Sequence, residues 1–260
     1  MRIATWNVNS VRARLPRLLA WLDRKRPDVV ALQETKVVDG EFPSAELAEV
    51  GYRCTVFGQK TYNGVAILSR EEAVETVRGL PGDAADADRR LLAATVAGIR
   101  VASVYVPNGK EVGHPAWEAK LIWLDRLREW LAATTTPSAP LVVCGDFNIA
   151  PDDRDVWDVA QWSGQNLFSE PEKERFRRLL GWGLVDTLRR LHGEGGIYTW
   201  WDYRAGAFHR GWGLRIDHVL ATASLAERCT GVEVDREERK GEKPSDHAPV
   251  IATFEPPLSD

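Results

Sequence analysis

Leu91-Leu-Ala-Ala-Thr-Val96 and Arg100-Val-Ala-Ser-Val-Tyr-Val106 are two apolar, β-rich runs separated only by Ala97-Gly98-Ile99. Two strands that close together, with a glycine between them, pair antiparallel as a hairpin. A uniformly parallel, doubly wound sheet is therefore excluded, and sheets packed face to face with helices outside fit better. Further strand-like runs, bounded by Gly, Asn or Pro, lie at Arg2–Val8, Asp28–Gln33, Tyr52–Phe57, Gly64–Ser69, Leu141–Cys144, Ile216–Ala221 and Val250–Phe254. Helical periodicity marks Leu15, Leu18, Leu19, Leu22 and then Trp117, Leu121, Leu124, Leu127, Trp130. A third helix is expected over Pro171–Leu180, with Pro171 in its first turn and Gly181 just past its end. The aromatics of the second helix read as core.

The chain has 260 residues, 44% hydrophobic and 28% charged, enough to bury a large core without covalent staples. No linker, repeat or low-complexity tract interrupts it, so residues 1–260 are expected to form a single domain. Cys54, Cys144 and Cys229 are odd in number and far apart, which suits neither a disulfide framework nor a zinc site. The first residues run straight into a strand, and no apolar stretch approaches a membrane span, so a cytoplasmic protein is expected.

The net charge is −4, which taken alone argues against nucleic acid. The distribution is uneven, however. Eight basic residues stand against three acidic ones from Arg2 to Lys36, and Arg204, Arg210 and Arg215 interleave with Trp200, Trp201, Tyr203 and Trp212.

The chemistry-bearing residues sit at the ends of the apolar runs. Asp28-Val-Val-Ala-Leu-Gln-Glu34 delivers a carboxylate to the carboxyl end of a strand, where α/β proteins usually build sites. Pro140-Leu-Val-Val-Cys-Gly-Asp146-Phe-Asn148 does the same with a carboxylate and an amide two residues apart, which can face one side. Asp146 can then accept a proton or bind a cation while Asn148 donates to a phosphate oxygen. Tyr105-Val-Pro-Asn108 ends another strand, and its hydroxyl and amide suit a phosphoryl group. Ser245-Asp246-His247 precedes the last strand and offers an oxygen ligand beside an imidazole that charges near neutral pH. Asp217 can hold that imidazole through its second ring nitrogen. Each cluster alone admits a plainer reading, as a cap, an Asx-turn or a core tyrosine. Together they match phosphodiester hydrolysis, with Glu34 and Asp246 as hard oxygen ligands for Mg²⁺ or Mn²⁺.

Thr5-Trp-Asn7-Val-Asn-Ser, Leu32-Gln-Glu34-Thr-Lys, Tyr105-Val-Pro-Asn-Gly, Gly145-Asp-Phe-Asn148, Gly181-Trp-Gly-Leu-Val-Asp186, Gly213-Leu-Arg-Ile-Asp217 and Lys243-Pro-Ser-Asp246-His247-Ala-Pro-Val resemble, in order, the motifs of the exonuclease III family. This is the class II abasic-site endonuclease branch of the endonuclease/exonuclease/phosphatase superfamily. The resemblance spans about residues 2 to 254 and implies a four-layer α/β sandwich, two mixed, mostly antiparallel sheets flanked by helices. It implies a monomeric DNA-repair enzyme making Mg²⁺-dependent incisions 5′ to abasic sites in duplex DNA. Cleaning of blocked 3′ ends or 3′→5′ exonuclease action on recessed ends is implied as well.

Carried over, Glu34 is the principal metal ligand, with Asn7 and Asp246 close to the ion. Asp146 activates water, Asn148 lies on the phosphate, and these two define a second metal position in some relatives. His247, paired with Asp217, contacts the scissile phosphate, and Tyr105 stabilises its charge. Trp200, Leu214 and Ile216 fall where the family lines its pocket for the base-less sugar, with Asn108 also on the substrate. Arg210 and Trp212 fall in the loop inserted into the duplex. Asn108 replaces a glutamine of some members, and His218 an apolar or aromatic residue. The rival readings are a superfamily phosphodiesterase acting on a phosphoinositide or sphingolipid, and a catalytically dead regulator.

Overall fold

The computed structural model describes residues 1–256. One sheet contains β1 (Arg2–Asn7), β2 (Val29–Gln33), β3 (Arg53–Phe57), β4 (Val65–Ser69), β11 (Cys229–Val234) and β12 (Val250–Phe254), in the order β11-β12-β1-β2-β4-β3. The other contains β5 (Ala73–Arg78), β6 (Leu91–Val96), β7 (Ile99–Tyr105), β8 (Leu141–Asp146), β9 (Leu184–Asp186) and β10 (Asp217–Thr222), in the order β5-β6-β7-β8-β10-β9. Among the described residues only β1/β2 and β7/β8 pair parallel; the other neighbours are antiparallel. The hairpin is tighter than the sequence suggests, since Ile99 already pairs with Val96 across Ala97-Gly98.

Alternation along the strands builds the layers. Ile3, Val29, Ala31 and Ile67 of one sheet meet Ala94, Val101, Val142 and Val219 of the other in the central core. The opposite faces carry Ala4, Trp6 and Leu32 under helix Val11–Lys25, and Ala102, Val143 and Leu220 under helices Pro115–Thr134 and Glu170–Trp182. The four expected layers are thus present. Trp117, Trp123 and Trp130 are buried, as core readings require. Between the sheets, Thr5 donates to Gln33 at 3.1 Å, Gln33 to Ser103 at 3.1 Å, and Ser103 to the Leu32 carbonyl at 3.3 Å. Buried polar groups so satisfied avoid a penalty of about 1–3 kcal/mol each and key one sheet to the other.

The third helix corrects its expected end. Gly181 lies inside it, and the chain turns at Gly183, at φ +130° with Pro137 packed where a side chain would stand. Three strands escaped the sequence reading: β5, β9 and β11, all at sheet edges. Edge strands show water on a face or flank, so their polar residues mask the alternation. Among the described residues no helix is long and apolar enough to cross a membrane.

Candidate active site

The two parallel pairs place their carboxyl ends at one edge of the sandwich. Asn7 closes β1 opposite Gln33 of β2, and Tyr105 closes β7 opposite Asp146 of β8. Asp217 opens antiparallel β10 directly across from Asp146. His247 approaches β12, whose antiparallel register with β1 brings it beside Asn7. The Ser245 hydroxyl donates to the Asn7 carbonyl at 2.6 Å, and the Trp6 indole donates to the His247 carbonyl at 3.1 Å. Glu34 and Asn148 lie just past their strands with φ of +51° and +50°. Left-handed non-glycine residues cost roughly 1–3 kcal/mol each. Here they aim their side chains back over the edge, and the Ser10 N–H bonded to the Glu34 carbonyl at 2.8 Å holds the first turn.

Glu34, Asp146 and His247 each place one ligand atom within 4.8 Å of the others. The Asn7 amide nitrogen donates to Glu34 Oε1 at 2.8 Å and to Asp146 Oδ2 at 2.9 Å, holding the two carboxylates together. Its oxygen accepts from the Asn9 backbone N–H at 3.0 Å, which fixes the orientation of the amide. Asn7 therefore turns its nitrogen towards the pair. Asp246 stands outside the group. One of its oxygens accepts from Asn9 Nδ2 at 3.0 Å and the other from Trp200 Nε1 at 3.0 Å. Asn148 is held by its neighbours too: its nitrogen donates to the Val106 carbonyl, and its oxygen accepts from Asn108 Nδ2, both at 3.0 Å. The two carboxylates suit a hard divalent cation, with the imidazole beside them.

The electrostatics follow from burial and crowding. Burial raises the Asp146 carboxyl, and the charges of Asp217 and Glu34 add to it; despite His247 and Asn7 it reaches about 7. Burial alone would lower the His247 imidazole, but Asp217 and Asp146 outweigh it and push it up to about 10. His247 Nδ1 lies 2.9 Å from Asp217 Oδ2, which leaves Nε2, 3.7 Å from Asp146, facing the opening. Burial first, then the Glu34 and Asp146 charges, hold the Tyr105 phenol well above its usual value, so it stays a neutral donor. Burial would raise Asp246, yet the His247 charge and the bonds from Trp200 and Asn9 bring it below the ordinary value.

Beside this group lies a cleft of about 580 Å³ whose walls include Asn108, Trp162, Leu167 and Trp200. Leu214 and Ile216 are wholly buried behind it with Phe168, so they back the cleft and do not line it. Arg210 stacks on Trp212 at 4.5 Å, and Trp212 stacks on Trp157 at 4.9 Å. Arg215 is withdrawn from any ligand. Its guanidinium is buried between Asp155 and Asp186, bonded to them at 2.7–3.2 Å. Much of the basic set from Arg2 to Lys36 is likewise committed to ion pairs, Arg17 with Glu238, Arg24 with Asp235 and Glu238, and Lys25 with Glu233.

Three residues missed at the sequence level adjoin the group. Lys36 Nζ lies 2.9 Å from Glu34 and 2.6 Å from Asn9 Oδ1. Thr199 Oγ1 accepts the backbone N–H groups of Ile216 and Asp217 at 3.0 and 3.1 Å, setting the start of β10. Lys36 and Asn9 stand inside quoted motifs, a signal available from the start; Thr199 carried none.

A model of the Endonuclease/Exonuclease/phosphatase family matches residues 4–247. Exodeoxyribonuclease III of Haemophilus influenzae is 36% identical over 266 residues, covering 98% of this chain and all of its own. Two solved structures superpose closely, each covering 98% of this chain and 99% of its own. They are the 3′ phosphatase NExo from Neisseria bound to product DNA hairpin (TM-score 0.94, 44% identity) and an AP endonuclease from Archaeoglobus fulgidus (TM-score 0.95, 42% identity). Matched over nearly its whole length in sequence and in fold, the chain belongs to the endonuclease/exonuclease/phosphatase family, on its exodeoxyribonuclease III branch of DNA-repair nucleases.

Proposed function

We propose that this nuclease incises duplex DNA 5′ to abasic sites and processes blocked or recessed 3′ ends, as a cytoplasmic, single-domain monomer dependent on Mg²⁺ or Mn²⁺. The observation that carries the reading is the meeting of Glu34, Asp146 and His247 at one sheet edge, next to a cleft walled by Trp200 and Asn108. In this reading Glu34 is the principal ligand, and the cation, when bound, neutralises the non-bridging phosphate oxygens. The remaining work falls to the side chains.

Asp146 takes a proton from a water whose oxygen bonds to phosphorus. The P–O3′ bond breaks and the 3′ oxygen takes up a proton from solvent. His247 Nε2 donates to the phosphate while Asp217 holds the ring by Nδ1, in the manner of a catalytic dyad. The Tyr105 phenol donates to the same group, and Asn148 with Asn108 fixes the phosphate's position. Asn7 and Asp246 act one step removed, Asn7 joining the carboxylates and Asp246 holding Trp200. Trp200 then forms the exposed wall of the sugar pocket, Leu214 and Ile216 its backing, and Arg210 and Trp212 the contact with the duplex.

The test compares a duplex carrying one abasic site with an undamaged recessed 3′ end, for wild type and Glu34→Ala with Mg²⁺ at a fixed level. Cleavage 5′ to the abasic site, lost on the order of 10²-fold or more in a folded Glu34→Ala protein, is the expected result. Cutting confined to 3′ termini, or unchanged turnover in the variant, overturns it.

A further inference from the structure

Helix Pro115–Thr134 buries a lysine completely: Lys120 has no exposed surface. An ammonium group has three donors, and here each finds an acceptor. Nζ donates to the Asn148 carbonyl at 2.6 Å, to the Asn108 carbonyl at 3.2 Å, and to Glu172 Oε1. Glu172 in turn accepts the Leu167 N–H at 3.2 Å and the Ser169 N–H at 3.0 Å, tying in the segment that walls the cleft. Asn166, on the same segment, donates to the Asn108 carbonyl at 2.9 Å.

A buried ion pair is often no more stabilising than apolar residues of the same size. What distinguishes this one is where its bonds end. Two of them end on the main-chain carbonyls of the residues whose amides join across the cleft edge, Asn108 Nδ2 to Asn148 Oδ1 at 3.0 Å. Asn148 holds a left-handed conformation, and its own N–H bonds Asp146 Oδ1 at 2.9 Å. A slip of the Asn148 peptide would therefore move a carboxylate oxygen of Asp146.

We infer that Lys120 is a positioning residue for phosphodiester cleavage, clamping the Asn108 and Asn148 peptides in one register from behind the site. The inference rests on the role given above to Asn148. Lys120 touches no substrate, and its effect belongs in kcat, with KM little changed.

Removing the ammonium alone strands Glu172 in the core, so Lys120→Met also loses stability. The deciding variant is Lys120→Met/Glu172→Gln, which removes both charges while the glutamine oxygen can still accept from the 167–169 backbone. Glu172→Gln alone strands the ammonium and so also lowers the midpoint, but it keeps the amine between the Asn108 and Asn148 carbonyls. Thermal midpoint, kcat and KM on an abasic duplex, and hydrogen exchange of the Asn148 side-chain amide are read for each, beside Asn148→Ala.

A shift of about 1 Å in a reacting group costs on the order of 10²-fold. The double variant should regain most of the midpoint, yet keep kcat down by that order with faster amide exchange, while Glu172→Gln retains near wild-type kcat. A double variant with wild-type kcat, or kcat that tracks the midpoint across all variants, overturns the inference. If Asn148→Ala itself turns over normally, the role of Asn148 falls and the clamp falls with it. A slow Asn148→Ala beside a fast double variant sinks the clamp alone.

Discussion

His218 offers a stability measurement with a worked sign. It is fully buried, accepts at Nδ1 from Arg215 Nη1 at 3.0 Å, and donates from Nε2 to the Ile149 carbonyl at 2.8 Å. A second proton would have to enter Nδ1 against a guanidinium. Burial first, then the Arg215 charge, lowers the imidazole from an ordinary 6.5 to about 4. The unfolded chain therefore binds a proton below about pH 6.5 that the folded protein refuses until about pH 4. This contribution is whole above pH 6.5, falls with acidification and is gone below pH 4. At about 1.4 kcal/mol per pH unit the full loss is about 3 kcal/mol, with about 2 kcal/mol gone by pH 5. His218→Gln can keep both hydrogen bonds and cannot titrate. Urea unfolding at pH 8 and pH 5 should show wild type losing about 2 kcal/mol more than the variant over that interval. Subtracting the variant removes the other titrating groups they share. Equal losses in the two proteins would show that His218 carries no proton-linked stability, and the tautomer assignment would fail with it.

Other expectations follow from the same contacts. Asp217→Asn keeps the size of the side chain but removes the charge that orients His247 Nδ1, so turnover should fall on the order of 10³-fold in a protein that unfolds at a similar urea concentration; turnover within a few-fold of wild type would remove the dyad from the chemistry. Arg215→Met leaves Asp186 without a cation in the core and Asp155 with Arg189 alone, and should cost about 3–5 kcal/mol by urea denaturation; a loss under 1 kcal/mol would show that Arg189 and protonation together make good the missing charge. Trp200→Ala removes the cleft wall and the 3.0 Å bond to Asp246, and should weaken cleavage at abasic sites more than digestion of undamaged 3′ ends. Equal losses on both substrates would make Trp200 a packing residue only.

The residues legible in the sequence were those where a long apolar run ended in a carboxylate or amide. Glu34 and Asp146 each sit at that junction, with Tyr105 at a third strand end, and the parallel pairs β1/β2 and β7/β8 turn these ends to one edge. The pairing of His247 with Asp217 was also readable, because both residues adjoin strand-like runs. Edge strand β5 was not: Ala73-Val-Glu-Thr-Val-Arg78 carries an irregular register and exposed side chains, so neither alternation nor an apolar run survives. Orientation was beyond the sequence as well. Which end of the Asn7 amide faces the carboxylates is decided by the Asn9 backbone, and the demand on Asp246 comes from an indole 46 residues away. Arg215 read as one of a basic set interleaved with aromatics, and Lys120 drew no reading, because their partners, Asp155, Asp186 and Glu172, are distant along the chain.

The ordering of these groups along the chain bears on synthesis. Asn7 and Asp146 are 139 residues apart, and the Trp6 indole closes on a carbonyl 241 residues later. A nascent chain halted before residue 247 holds Glu34 and Asp146 but lacks the imidazole opposite them. Pairings so distant form late and slowly. On the role proposed for His247, a chain still short of that residue should cleave no DNA, and a protease cut that parts the strands of either sheet should end cleavage in the same way.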